Sequence, residues 1–322
     1  MNNFWEQLKK PLFVLAPMAD VTDVAFRSMF AKYGKPDVTW TEFVSCDGLY
    51  ATREREKMKD EENPLMQDLL YTDEERPIVA QLFSSNPEMM EYGAKLVKEL
   101  GYDGVDINMG CPDRSIEKQG AGSAHMKDPE NAKRVILAAR KAGIPVSVKT
   151  RIGYNKEEID TWIKGLLELE LPVLTVHLRT RKEMSKVAAH WDLMPRIVAL
   201  RDEISPSTLI IGNGDVESKE DGEEKIKMYG CDGVMVGRGI FGNPWFFNTD
   251  VKEVSKKEKL EVMLEHTRLY EKLLPHKAFH IMKKHYKAYV SGFDGAAELR
   301  AKLFQANNAD EVEEILREES HI

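Results

Sequence analysis

Cysteine is scarce: Cys46, Cys111 and Cys231 are the three in 322 residues, and no Cys-x-x-Cys pair occurs. That spacing excludes a disulfide-stapled scaffold and a cysteine-rich zinc centre, so no metal is expected, and it fits a reducing cytoplasm. Long apolar runs are missing too. Nothing approaches the ~20 residues of a membrane helix, and only a short apolar stretch follows Lys9 and Lys10, so neither a secretory signal nor a membrane partner is expected. Positive charge is not in excess, because 46 basic against 54 acidic side chains leave −8. Any nucleic-acid surface must therefore be local. A Gly-x-Gly-x-x-Gly turn after an early strand is also absent. The first strand-like run is followed by Pro17, Met18, Ala19 and Asp20 instead, which argues against a doubly wound dinucleotide fold.

What is present is ordinary in bulk, with 42% hydrophobic and 31% charged residues, and regular in order. Strand-like runs lie at 13–16, 38–43, 78–82, 104–108, 146–149, 173–177, 209–212 and 233–237. Helical spacing fills 87–100, 129–142, 156–168 and 219–229 between them. Eight such alternations over about 250 residues predict a (β/α)8 TIM barrel. The charged stretch 53–76 reads as a solvated helix-and-loop excursion. After Asp250 no strand pattern remains, and Leu260, Met263, Leu264, Leu299, Leu303 and Phe304 recur at helical spacing. The expected organisation is a catalytic barrel over 1–250 and a small C-terminal helical domain over 251–322.

In such barrels the chemistry sits at the C-terminal strand ends. That rule brings Met18, Gln81, Asn108, Lys149 and His177 to one rim, with Arg151, Arg179 and Arg181 just beyond. A lone lysine or histidine there is more often an ion-pair or packing residue; their convergence points to a cofactor-sized site. Gly212-Asn213-Gly214-Asp215 and Gly237-Arg238-Gly239 follow the last two strands, where barrels frequently hold phosphate on backbone N–H groups. Cys111 stands in a Gly-Cys-Pro loop beyond the fourth strand, whereas Cys231 precedes the eighth and Cys46 reads as packing. A rim thiol can serve as nucleophile or as proton donor, and spacing does not separate the two.

Six segments resemble the flavin-dependent tRNA-dihydrouridine synthases: APMADVTDVAFR from Ala16, DINMGCPDRSIEKQGAGSAHM from Asp106, VKTRIGY from Val148, HLRTR from His177, IGNGDVES from Ile211 and VGRGIFGNPWFF from Val236. A seventh, MKKHYKAYVSGFDGAAELR from Met282, resembles that family's helical RNA-binding domain. The resemblance implies FMN on the rim, with Pro17, Met18, Ala19, Gln81 and Asn108 around the flavin and Lys149 and His177 in polar contact with it. Asn213, Gly214, Asp215, Gly237 and Arg238 would hold the phosphate. It implies reduction of the uracil C5=C6 bond in tRNA, with NADPH or NADH as reductant, hydride passing from flavin N5 to C6, and Cys111 giving a proton to C5. Arg151, Arg179 and Arg181 on the rim and Lys283, Lys284, Lys287 and Arg300 in the tail are the expected RNA contacts. Residues 276–302 hold six cations against Asp294 and Glu298, a local concentration of the kind phosphate recognition needs. A monomer is expected. Asp20 and Leu178 depart from the family pattern, each standing where glycine is commoner. Three rivals stay open at this point: a flavin barrel acting on a small pyrimidine, a Schiff-base aldolase using Lys149, and a tRNA-binding module without catalysis.

Overall fold

The computed structural model describes residues 3–318. Eight strands run parallel: β1 Leu12–Leu15, β2 Thr39–Ser45, β3 Ile78–Phe83, β4 Gly104–Met109, β5 Val146–Arg151, β6 Val173–His177, β7 Leu209–Asn213 and β8 Gly233–Val236. They pair in the order β1-β8-β7-β6-β5-β4-β3-β2. The ring closes where Val14 bridges Val38 and Leu15 N donates to Val38 O at 3.2 Å. Helices cross between strands at Val24–Tyr33, Pro87–Glu99, Pro129–Arg140, Met194–Ile204 and Lys219–Tyr229. This is the TIM barrel that the alternation predicts. Four of those helices start on a side chain that accepts a first-turn N–H: Asp23, Asn86, Asp128 and Ser218.

Every second strand residue points into the barrel, and the character of the interior changes along its axis. At the N-terminal end Leu12, Val14, Trp40, Val79, Val173, Ile211 and Met235 pack in one apolar cluster, plugged from below by Trp5. Two to four residues further along, the same inward face carries Gln81, Asn108, Lys149, His177 and Asn213. The register aligns Asn108 with Lys149 and His177 with Asn213. The alternate residues, such as Leu15, Leu82, Ile107 and Val148, face the helices and form the main core. A one-residue slip would exchange these faces, so burial pins the polar set to the mouth.

Two sequence expectations change. The helix expected at 156–168 is shorter, a wide turn at Ile159–Ile163 running into Lys164–Leu167. Its expected start is undone locally, because the Glu158 carboxylate accepts from Tyr154 N and that of Glu157 from Ile159 N. The 53–76 stretch is not simply solvated. Its Met66 and Leu69 enter the main core, and Glu75 is 1% exposed, paired at 2.6 Å with the equally buried Arg27.

Beyond the barrel the tail is helical, at Lys256–Leu273, Lys283–Tyr289, Ala296–Leu303 and Ala309–Glu318. Its apolar side chains share one cluster with Val24, Ala25 and Met29, which lie on the first barrel helix. Lys277 reaches across to Glu42 at 2.7 Å and Asp68 at 2.8 Å. The outermost parts of the two expected domains, residues 1–2 and 319–322, lie outside the described residues. Among the described residues no helix is long and apolar enough to cross a membrane.

Candidate active site

The strand ends and the loops after them enclose a cavity of about 570 Å³, in the range of small-molecule sites. Pro17, Met18, Lys149, His177, Asn213, Gly214, Asp215, Gly237 and Arg238 line it together. Gln81 and Asn108 lie deeper, both buried, and Ala19 lies exposed at the outer turn.

The β7 and β8 loops supply donors rather than side-chain bulk. Gly214 has φ +127° and Asp215 φ +50°, so the backbone takes two successive left-handed steps as it leaves β7. Among the described residues, the N–H groups of Gly214, Asp215, Gly237 and Arg238 donate to no backbone acceptor. A Cβ on Gly237 would approach only Ala16 and Met18, both at 3.7 Å, and would otherwise fill the cavity. Asn213 is held from behind, its Nδ2 donating to Met235 O at 2.8 Å.

The Asp215 side chain is engaged elsewhere. It accepts from Arg179, from Arg238 at 2.9 Å and from Ala189 N at 2.9 Å. Burial alone would raise its pKa, but these donors hold it below the usual carboxylate range. Arg179 also donates to His177 Nε2 at 3.0 Å. A guanidinium only donates, so Nε2 is the acceptor and the imidazole proton sits on Nδ1. Burial, then the charges of Arg151 and Lys149, keep His177 well below its ordinary pKa and therefore neutral. Lys149 is pulled down to about 8 by burial first and Arg151 second. Its ammonium forms no hydrogen bond or ion pair with any described residue.

Cys111 is partly open, on the loop after β4. Three tethers hold that loop. Asn108 Oδ1 accepts from Gly110 N at 3.2 Å and Cys111 N at 2.9 Å, Arg151 Nε donates to Gly110 O at 2.8 Å, and Ser123 N donates to Cys111 O at 2.9 Å. Gly122, at φ +61°, lets the chain pass where a Cβ would stand 2.7 Å from Cys111 O. Hence the Asn-Met-Gly-Cys-Pro and Ala-Gly-Ser-Ala segments form one unit. Burial raises the thiol pKa, so it carries its proton at neutral pH. Cys46 and Cys231 are buried.

The expected RNA contacts divide. Arg151 and Arg179 are 6% and 2% exposed and spent on the chain itself, Arg151 also donating to Met184 O at 2.8 Å. Arg179 is thus a wall of the cavity, a place missed in the sequence although its two-residue spacing from His177 was a signal for it. Arg181 is paired with Glu117 and lies 5.2 Å over the Tyr154 ring. In the tail Lys287 is exposed, Lys283 donates to Phe304 O at 2.6 Å and Arg300 to Val290 O at 2.7 Å. Lys284 is half-buried, and burial lowers its pKa against the nearby charges of Asp20, Glu42 and Asp23.

The family model described as dihydrouridine synthase (Dus) matches residues 14–321. The chain belongs to that family. It is 41% identical to a probable tRNA-dihydrouridine synthase of Staphylococcus epidermidis, covering 98% of this chain and 95% of the relative. It is likewise 41% identical to probable tRNA-dihydrouridine synthase 2 of Bacillus subtilis, over 98% and 96%. Morphinone reductase, at 12% identity and a TM-score of 0.54 over 78% of this chain and 89% of its own, shares the fold. Against the family pattern, Asp20 has φ +54°, a left-handed conformation in which glycine is at ease and aspartate tolerated. Leu178 is fully buried in the main core, its N–H donating to Asn213 O at 3.0 Å.

Proposed function

We propose that this dihydrouridine synthase family member reduces the C5=C6 bond of particular uridines in tRNA, with FMN held in the rim cavity and NADPH or NADH as reductant. One observation carries the reading: a set of unspent N–H groups after β7 and β8 shares the barrel mouth with a protonated, partly open thiol after β4.

The cavity fits FMN on its own chemistry. The N–H groups of Gly214, Asp215, Gly237 and Arg238, with the Arg238 guanidinium, suit the phosphate. The Lys149 ammonium and the His177 Nδ1–H suit carbonyl and ring-nitrogen acceptors, and Pro17 and Met18 offer apolar surface. When bound, the flavin supplies the hydride that goes to C6 of the base. Saturating C6 leaves charge at C5, and Cys111 would quench it by giving up the proton that burial keeps on its sulfur. A stacked uridine cannot enter such a mouth, so the base must leave its stack. The tail cations Lys283 and Lys287 would hold the surrounding phosphates.

Two measurements test the reading. Purified protein should be yellow, and tRNA from a strain deleted for the gene should lack dihydrouridine at defined positions, regained on complementation. A colourless protein that takes up no FMN, or an unchanged modification map, would overturn it.

A further inference from the structure

We infer that Asp106 is a positioning residue for Cys111, acting through the buried amides of Gln81 and Asn108; the inference rests on the reading of Cys111 given above. Asp106 is fully enclosed on the inward face of β4. Its Oδ2 accepts from Gln81 Nε2 at 2.7 Å and its Oδ1 from Ser147 Oγ at 2.6 Å. Gln81 Oε1 accepts from Asn108 Nδ2 at 3.0 Å. Asn108 Oδ1 then accepts from the Gly110 and Cys111 N–H groups. The ladder explains the adjacency, because Asp106 stands level with Gln81 on one side and Ser147 on the other.

The shape of an amide side chain does not say which end is the donor. A carboxylate only accepts, so Asp106 draws Gln81 Nε2 to itself and leaves Oε1 for Asn108. The choice is then repeated, and Asn108 turns Oδ1 to the loop. Were Gln81 reversed, two acceptors would meet at Asp106, and Asn108 Nδ2 would face two N–H donors. One buried carboxylate therefore sets the direction of every link up to the cysteine, in surroundings where a half-satisfied network is costly. Burial pushes this carboxyl up to about 6, against the pull of Ser147 and Gln81, so it is ionised at neutral pH.

The test compares Asp106→Ala with Asp106→Asn in the FMN-loaded enzyme. Asparagine can offer Oδ1 to Gln81 and donate Nδ2 to Ser147 Oγ, which is able to accept, so it keeps the direction without the charge. Alanine keeps neither. The first readout is alkylation by iodoacetamide without tRNA, which reports Cys111 because Cys46 and Cys231 are 0% and 4% exposed. The second is flavin reoxidation by tRNA in a single turnover. In Asp106→Ala, alkylation should speed up several-fold and reoxidation should slow by about 10²-fold, the scale of an ångström misplacement. Asp106→Asn should restore both. If Asp106→Ala does not fold, Asp106→Asn combined with Ser147→Ala decides: the amide then loses the hydroxyl that takes its Nδ2 hydrogen, and the rescue should be lost. Wild-type alkylation and reoxidation in Asp106→Ala, or a rescue that survives loss of Ser147, would overturn the relay. Wild-type reoxidation in Cys111→Ala would instead reject the acid reading, with the alkylation comparison still deciding the relay.

Discussion

Removing the Cys111 sulfur should split the reaction into an intact half and a failed one. Cys111→Ala changes little volume on a loop held by three backbone tethers, so FMN content and flavin reduction by NADPH should be unchanged. Reoxidation by tRNA should slow by about 10²–10⁴-fold, the usual worth of a general acid. Stopped-flow traces of both halves check this, and equal slowing of the two would mark Cys111 as a shaping residue. Arg238→Ala removes a largely exposed charge beside those unspent N–H groups. FMN affinity should fall by about ten-fold, the scale of one charge-assisted hydrogen bond. Flavin fluorescence on titration measures it, and undiminished affinity would move the phosphate elsewhere. At this scale the sequence was legible where a residue acts through its place on a strand. Lys149, His177 and Asn213 could be put at the mouth by counting in twos. It was illegible where two long side chains compete for one carboxylate. Nothing in the spacing of Arg179 and Arg238 says that both end on Asp215, or that Arg151 is consumed by the carbonyls of Gly110, Thr180 and Met184.

Among the tail elements, the helix Lys283–Tyr289 carries Lys283, Lys284 and Lys287, of which Lys287 is the exposed one. Lys283 and Lys287 lie one helical turn apart on one face, while Lys284 turns toward Asp20 and Glu42 at the barrel. Replacing Lys283 and Lys287 by alanine should weaken tRNA binding and lower its salt slope by roughly 0.7–0.9 for each phosphate that is no longer neutralised. NADPH oxidation should be unaffected. Filter binding across a salt series checks it, and an unchanged slope would place the RNA on another face. Strands and helix starts were readable because each rests on a local rule, alternation for β1 to β8 and a capping side chain for the helices. The elements that were misread depend on distant partners or on competing local bonds. Glu157 and Glu158 spend their carboxylates on nearby N–H groups and delay a helix. Glu75 lies in a charged run yet is buried, because its partner Arg27 comes 48 residues earlier.

For the molecule as a whole, the seam between barrel and tail carries an acid liability. His266 and His285 are both fully buried, their rings 4.9 Å apart, and none of their four ring nitrogens has a hydrogen-bond partner among the described residues. Burial lowers His266 to about 3, and burial together with the neighbouring His266 and Lys284 lowers His285 well below its ordinary value. An unfolded histidine takes a proton near pH ~6.5. The folded values are depressed, so this contribution to stability is complete above that pH. It is lost as pH falls below it, by up to about 1.4 kcal/mol per pH unit for each ring. His266→Phe keeps an aromatic ring and removes one titration, so its melting temperature should fall less than wild type's between about pH 7 and about pH 5. Parallel declines would show that the seam is not the acid-sensitive part. The apolar cluster beside those rings has a consequence during synthesis. Val24, Ala25 and Met29 leave the ribosome about 230 residues ahead of Leu260, which helps to cover them. At ~5–20 residues per second the nascent chain holds that sticky face open for about ten seconds or more. Over that interval the first barrel helix is bait for a chaperone, and a stop codon that deletes the tail would leave it so for good.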